Sequence, residues 1–210
     1  MLGLMHSLML LGQTDQPQYS AFVPSQQVVV KSWVGDLNQD GVADCVLLTK
    51  GTQKDLIAYE RGQKIDHNRR GMIVLFNKAG HFVQVLKNLS CFSGENDNDS
   101  HATELDVAID QGNLEVQFSS GASGHWKYTF RYQYADFELI AYEAVERVTL
   151  AESNYSAYNK TSINYITQTK VSRKFVGVNR KRSERYQVTT ENIQVGARIK
   201  LSEISDFDSL

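Results

Sequence analysis

Proline and cysteine are both scarce in this chain, whose 210 residues include only 2 of each. Because long disordered linkers are rich in proline, this scarcity argues against an extended unstructured segment. An excess of charge of one sign is lacking too, since the formal net charge is −2. Such a chain has no overall field that attracts nucleic acid or an anionic membrane, and we expect no nucleic-acid partner.

Long hydrophobic runs are also missing. A membrane-spanning helix needs about 20 consecutive apolar residues, and no stretch of this chain approaches that length. The apolar stretch Leu2 to Leu11 ends abruptly at the polar residues Gly12 to Gln16. Its length is typical of the apolar region of a secretory signal, although no Lys or Arg precedes it. We predict a signal-like segment and linker over residues 1–19, with an apolar first helix as the alternative. A mature chain without a membrane span would then be periplasmic or secreted.

The two cysteines, Cys45 and Cys91, leave two alternatives open. An even number of cysteines in an exported protein permits a disulfide, which would stabilise the fold by about 4 kcal/mol. Otherwise they are two buried thiols that never meet. Sequence cannot choose between them, because a disulfide depends on a Cα separation that only the fold sets.

Alternating apolar and polar residues predict an all-β, or β-rich α+β, fold over residues 20–210 as one domain. The clearest strand is Trp126 to Tyr134, in which aromatic residues share one face and Lys, Thr, Arg and Gln the other. Turn residues between such segments predict consecutive hairpins, and therefore an antiparallel meander or sandwich. The predicted strands are 27–34, 45–48, 71–77, 81–86, 105–109, 114–118, 126–134, 137–142, 162–166, 170–175 and 197–204, whereas 51–70 is an irregular loop with a short helix at 55–59.

The most specific motif is the acidic loop from Asp36 to Asp44. Oxygen-bearing side chains occupy its positions 1, 3, 5 and 9, and Gly41 at position 6 permits a sharp bend. Calcium takes about six to eight oxygen ligands, and it would relieve the repulsion among crowded carboxylates. We predict a structural Ca²⁺ site whose ligands are Asp36, Asn38, Asp40, the backbone carbonyl of Val42, and Asp44. The alternative is an Asx-rich turn without metal.

Two other charged segments carry weaker signals. The acidic cluster Glu95 to Asp99 lacks the glycine, and is a weak cation site or a solvated loop. The basic run Asn179 to Arg185 could dock an anionic partner, but without interleaved aromatics it reads better as a solvated loop. The histidines lack zinc-ligand spacing, and no nucleophile or phosphate-loop motif occurs, so we predict no catalytic residues.

Six motifs follow one another along the chain: Gly35–Asp44, Asn68–Gly71, Lys87–Asn96, Trp126–Gln133, Asp136–Ile140 and Thr161–Tyr165. Their order resembles a family of small exported or envelope-associated bacterial proteins of uncharacterised function. The acidic loop itself is similar to the strand-loop-strand calcium loops of FG-GAP repeats, and it differs from an EF-hand because position 12 is Leu47. The resemblance covers about residues 30–175 and implies export and a compact β-rich fold.

These patterns favour a non-enzymatic exported β-domain, stapled by calcium, that binds an envelope protein or polymer. One alternative is an inhibitor or immunity protein directed against a toxin or lytic enzyme, with exposed Tyr-rich hairpins as anchors. A second is a calcium-dependent hydrolase, in which separated carboxylates would act as acid and base. Those carboxylates are Glu115, Asp136 and Glu138.

Overall fold

The computed structural model describes residues 17–60, 62–94, 104–149, 156–179 and 183–210. In these ranges every strand pairing is antiparallel, and the helical segments are all short 3₁₀ turns. The strands are β1 (Gln27–Gly35), β2 (Asp44–Gly51), β3 (Ile57–Glu60), β4 (Gln63–Asp66), β5 (Arg70–Lys78), β6 (His81–Phe92), β7 (Glu104–Asp110), β8 (Asn113–Ser119), β9 (Gly124–Gln133), β10 (Asp136–Thr149), β11 (Ser156–Asn164), β12 (Thr169–Val178) and β13 (Glu184–Asn192).

Two sheets face each other, with a small third hairpin at the side. The first sheet has four strands in the order β1-β2-β5-β6, and the second has seven in the order β13-β12-β11-β10-β9-β8-β7. Strands β3 and β4 form the small hairpin. The all-β prediction of consecutive antiparallel hairpins is therefore confirmed.

Tight two-residue turns set the register of three hairpins. Residues Ala79-Gly80, Gln111-Gly112 and Tyr134-Ala135 all have positive φ, as type I′ turns require. The last turn lies one residue earlier than predicted. Tyr134 therefore leaves the inward aromatic row of β9 and is 78% exposed, whereas Phe130 in the same row is fully buried.

The four-stranded sheet is covered on both faces, which explains the unbroken apolar runs of β2 and β5. Its inner face packs against the seven-stranded sheet through residues such as Val46 and Val74. Its outer face carries Cys45 and Ile73, and the 3₁₀ segment Pro17–Phe22 covers it by inserting Tyr19. Tyr19 is 7% exposed, so a residue that was predicted to lie in the linker packs into the domain.

The segment 197–204 is not the strand that its sequence predicts. It makes one isolated bridge, Lys200 to Glu138, and then forms the 3₁₀ turn Leu201–Glu203. The buried residues are Leu201, Ile204 and Phe207, at a spacing of three rather than two. A strand would point such residues to alternate faces, so burial of all three favours the 3₁₀ geometry.

Residues 199–208, which we call the C-terminal strap, tie the two sheets together. On one side, Ile199 accepts a backbone hydrogen bond from Leu139 of β10 at 2.9 Å. On the other side, the buried Asn88 amide of β6 donates to the carbonyls of Leu201 (2.9 Å) and Ile204 (2.7 Å). The strap thereby closes the core between β6 and β10.

Two further differences concern segments that were predicted to be irregular. Residues 51–70 contain the β3–β4 hairpin after a 3₁₀ turn at Lys54–Leu56, instead of a loop with a helix at 55–59. Asp66, at the end of this hairpin, accepts from Asn68 and lies 3.1 Å from the Lys50 ammonium. Strand β13 begins at Glu184, inside the basic run Asn179 to Arg185 whose sequence predicts a loop.

No helix in the described residues has the length and apolar character that crossing a bilayer requires.

Candidate functional site

The acidic loop joins β1 to β2 at one end of the four-stranded sheet. Gly35 and Asp44 are its closing pair, and Leu37, 2% exposed, anchors it in the core. Gln39 and Gly41 adopt positive φ of 60° and 85°, which folds the backbone between them into a tight turn. The loop is thus held at both ends, while its tip remains exposed.

Side-chain oxygens turn inward and bind the loop's own backbone. The two oxygens of Asp36 accept from the N–H groups of Asp40 (3.2 Å) and Gly41 (2.9 Å). Asn38 Oδ1 accepts from Asp40 N–H at 3.0 Å, and Asp40 Oδ1 accepts from Val42 N–H at 2.8 Å. The Asn38 amide also donates to Asp40 Oδ2 at 2.9 Å. Asp36, Asn38 and Asp40 therefore share one hydrogen-bonded turn.

Asp44 connects the loop to the neighbouring strand. Its carboxylate is fully buried, and Oδ2 accepts from the N–H groups of Leu37 (2.9 Å) and Asn38 (3.3 Å). Oδ1 accepts from Asn77 N–H of β5 at 2.9 Å. Burial raises the pKa of Asp44, although the backbone donors Asn77, Leu37 and Asn38 act in the opposite direction and nearby Asp40 adds to the rise.

The acidic loop could bind an ion only through a mixture of side-chain, backbone and water ligands. Among the described residues, no three Asp, Glu, His or Cys side chains converge as a metal-binding group. Both oxygens of Asp44, the fifth predicted ligand, accept from backbone N–H groups of Leu37, Asn38 and Asn77. An ion at the exposed tip would therefore need the Asn38 amide oxygen, the Val42 carbonyl and water beside the carboxylates of Asp36 and Asp40. These are the hard oxygen donors that calcium takes, so the residues fit this ion better than zinc.

An open groove of about 800 Å³ lies beside the loop. Asp36 and Gln39 line one wall, and Asn113 and Arg131 of the second sheet line the other. Gln39 crosses to the β7–β8 turn and donates to the Gln111 carbonyl at 2.8 Å. The groove is therefore a polar surface where the two sheets meet.

Sequence reasoning missed this groove because its walls are far apart in the chain. Gln39 and Gln111 are separated by 72 positions. The one local signal was Gly112, where a Cβ would lie 2.3 Å from the Gln39 amide nitrogen. A glycine in a hairpin turn has its own conformational reason, so the sequence alone did not indicate this close approach.

The carboxylates of the hydrolase alternative are each engaged by a donor. Glu115 pairs with Lys127 at 3.0 Å, and Asp136 accepts from Phe137 N–H at 2.7 Å and from the Ser202 hydroxyl. Glu138, 4% exposed, pairs with Arg198 at 2.9 Å. Strand β9 separates Glu115 from the other two, so the fold does not gather the three carboxylates.

The cysteines lie on opposite faces of the four-stranded sheet as free thiols. Cys45 belongs to the outer cluster with Tyr19, and Cys91 to the core between the sheets. Of the two alternatives, the structure therefore contains the pair of buried thiols. Burial raises the pKa of Cys45 to about 11 and that of Cys91 to about 12.

We expect neither thiol to react with a disulfide reagent near pH 8 while the protein is folded. The thiolate is the reactive form, and burial suppresses both its formation and its access. Denaturant should expose both of the chain's 2 cysteines to the reagent. Rapid labelling of the native protein, or a shortfall of thiols after unfolding, would contradict this arrangement.

Some sequence predictions lie outside the described residues. These are the apolar segment Leu2 to Leu11, the acidic cluster Glu95 to Asp99, and the centre of the basic run at 180–182. Among the histidines that the structure describes, His125 places its Nε2 atom 3.9 Å from Oε1 of Glu143.

No family model, no curated protein and no solved structure matches this chain.

Proposed function

We propose that this protein is a non-enzymatic exported β-domain whose acidic loop binds calcium as a structural staple. The observation that carries the proposal is the inward convergence of Asp36, Asn38 and Asp40 on the turn at Gly41. An ion entering this turn would replace the Asn38–Asp40 hydrogen bond and neutralise two carboxylates. Backbone N–H groups already orient both carboxylates, which reduces the entropy lost on binding.

We propose further that the groove beside the loop receives an envelope protein or polymer. Its polar wall offers the Arg131 guanidinium, which is fixed by a 3.1 Å hydrogen bond to Asn113. Since Asp36 belongs to both the loop and the groove, calcium would hold this wall in place. The role of the ion would then be to rigidify a binding surface.

Calcium should raise the melting temperature of the purified protein by roughly 5–10 °C. This follows from a dissociation constant on the order of 10 μM and about 1 mM calcium, which add about 2.7 kcal/mol to stability. Calorimetric titration should give one site per chain. Asp36→Asn and Asp40→Asn should each abolish most of the shift, because each removes a negative ligand.

Asp55→Asn is the matched control. Asp55 is exposed in the 3₁₀ turn Lys54–Leu56, away from the acidic loop, and the substitution removes the same charge. This variant should keep the full calcium response. Equal melting temperatures in calcium and in chelator would sink the proposal, whatever the behaviour of the variants.

Inhibition of a toxin or lytic enzyme is the second candidate, and exposed aromatic side chains on hairpins favour it. Tyr134 in the β9–β10 turn is 78% exposed, and Tyr59 in the β3–β4 hairpin is 74% exposed. The Arg198 guanidinium stacks on the Tyr134 ring at 4.7 Å, which restricts the ring as an anchor. Loss of lytic activity on adding this protein, weakened by Tyr134→Ala, would distinguish it from passive envelope binding.

A further inference from the structure

Strand β13 ends the seven-stranded sheet with an open edge. It pairs with β12 along its length, and no other described strand lies on its far side. Eight of its nine residues are exposed, and the ninth, Tyr186, is half-buried. Its sequence has no proline and no lysine, which are common devices that protect an edge from pairing.

The hydrogen-bond pattern shows which backbone groups face this edge. Ile193 N–H donates to the Gln168 carbonyl at 2.8 Å, so odd-numbered residues of β13 direct their N–H and C=O groups toward β12. The even-numbered residues Tyr186, Val188 and Thr190 consequently direct theirs outward. These three present a regular ladder to any strand that approaches.

We propose that two copies of this protein pair antiparallel through β13, about a two-fold axis at Val188. In this register Val188 lies opposite the partner's Val188, and Tyr186 lies opposite the partner's Thr190. Arg185 then lies directly across from the partner's Glu191, and the symmetry repeats this pair. The two seven-stranded sheets would become one continuous sheet.

Charge complementarity selects this register among those that also align the outward backbone groups. With the axis at Gln187, Arg185 would lie opposite the partner's Thr189. With the axis at Thr189, Arg185 would lie opposite the partner's Ile193. Only the axis at Val188 sets Arg185 against Glu191. It also covers Val188, which at 61% is among the most exposed apolar residues.

Side-chain contacts with β12 hold β13 in an ordered conformation before any partner binds. The Arg173 guanidinium of β12 stacks on the Tyr186 ring at 3.6 Å, and Phe175 packs edge-on against the same ring at 5.7 Å. These contacts fix the strand on one face, so little order would be lost on association.

Positive charge elsewhere on β11–β13 opposes the approach of two copies. Apart from Arg185 and Glu191, these strands carry four basic residues, Lys160, Lys170, Arg173 and Lys174, and one acidic residue, Glu184. This repulsion acts over distance and is screened beyond about 8 Å at physiological ionic strength, whereas the Arg185–Glu191 contacts are direct. The measurement therefore belongs at physiological salt.

Sedimentation velocity of the full chain should show a concentration-dependent dimer. Arg185→Glu and Glu191→Arg should each weaken it at least tenfold, because each sets like charges opposite one another twice. The combined variant restores opposite charges and should recover the wild-type dissociation constant. Lys54→Glu, at an exposed site on another element, should leave the dimer unchanged.

A crosslink provides an independent test. Val188→Cys should form a disulfide-linked dimer on mild oxidation, because paired Cα atoms about 5.5 Å apart suit a disulfide. The native Cys45 and Cys91 are buried and do not compete. A wild-type chain that stays monomeric at about 100 μM, or a double charge reversal without rescue, would overturn the proposal.

Discussion

Replacing Phe207 with alanine is expected to lower the free energy of unfolding by about 3–5 kcal/mol. Phe207 is 4% exposed and stacks on Phe92 at 4.9 Å between ring centroids. It also contacts Tyr128 at 5.2 Å and Phe118 at 5.7 Å, so its ring joins β6 to β8 and β9. Alanine would leave a cavity that these rings, held by two sheets, cannot collapse to fill.

Leu210→Ala is the control for this substitution. Leu210 lies three residues further along and is 47% exposed, so its truncation should cost less than about 0.5 kcal/mol. Denaturant unfolding followed by tryptophan fluorescence would measure both variants. A loss below about 1 kcal/mol for Phe207→Ala would mean that the strap is not part of the core.

Asp44→Ala should lower the free energy of unfolding by about 3 kcal/mol, which is the second largest loss that we expect. Its carboxylate accepts from three backbone N–H groups, those of Leu37, Asn38 and Asn77, in a site without solvent access. Each buried donor left without a partner costs about 1–3 kcal/mol, and partial entry of water would moderate the sum. Urea unfolding of both proteins in chelator would measure this loss of stability without any contribution from calcium.

Asp44→Asn provides the graded comparison and the pH test. Because the folded pKa of Asp44 is raised above its ordinary value of 3.8, its protonation favours the folded state. That contribution is fully present below the ordinary value and is lost as the pH rises through the raised one. The stability of the wild type relative to Asp44→Asn should therefore decline in chelator as the pH rises above the ordinary value of 3.8 and through the raised pKa. A difference that grows with pH would show that the carboxylate pKa is lowered instead.

The hairpins were predictable because their information is local. Gly80 and Gly112 supply the positive φ that two-residue turns require, and alternation on either side sets the inward face. The turn at Tyr134-Ala135 contains no glycine, and the prediction there was off by one residue. Its position follows from the pairing of Gln133 with Asp136, which sequence pattern alone does not define.

The C-terminal strap was mispredicted because its contacts are not local. Its alternating apolar residues are typical of a strand, but burial instead follows Leu201, Ile204 and Phe207. The Asn88 amide that captures two strap carbonyls lies 113 and 116 positions away. The acidic loop is the opposite case, since its inward side chains lie within five residues of their backbone partners, except where Asp44 reaches further.

Closing the core with a distant segment has a kinetic consequence. Arg69 binds Asp206 across 137 positions, whereas each hairpin joins residues that are near neighbours in the chain. Loop-closure entropy penalises such long connections, so the sheets should form before the strap docks. In that interval Phe92 and Phe118 would face water. The intermediate without its docked strap would therefore expose an aromatic patch to chaperones or to other copies of the chain.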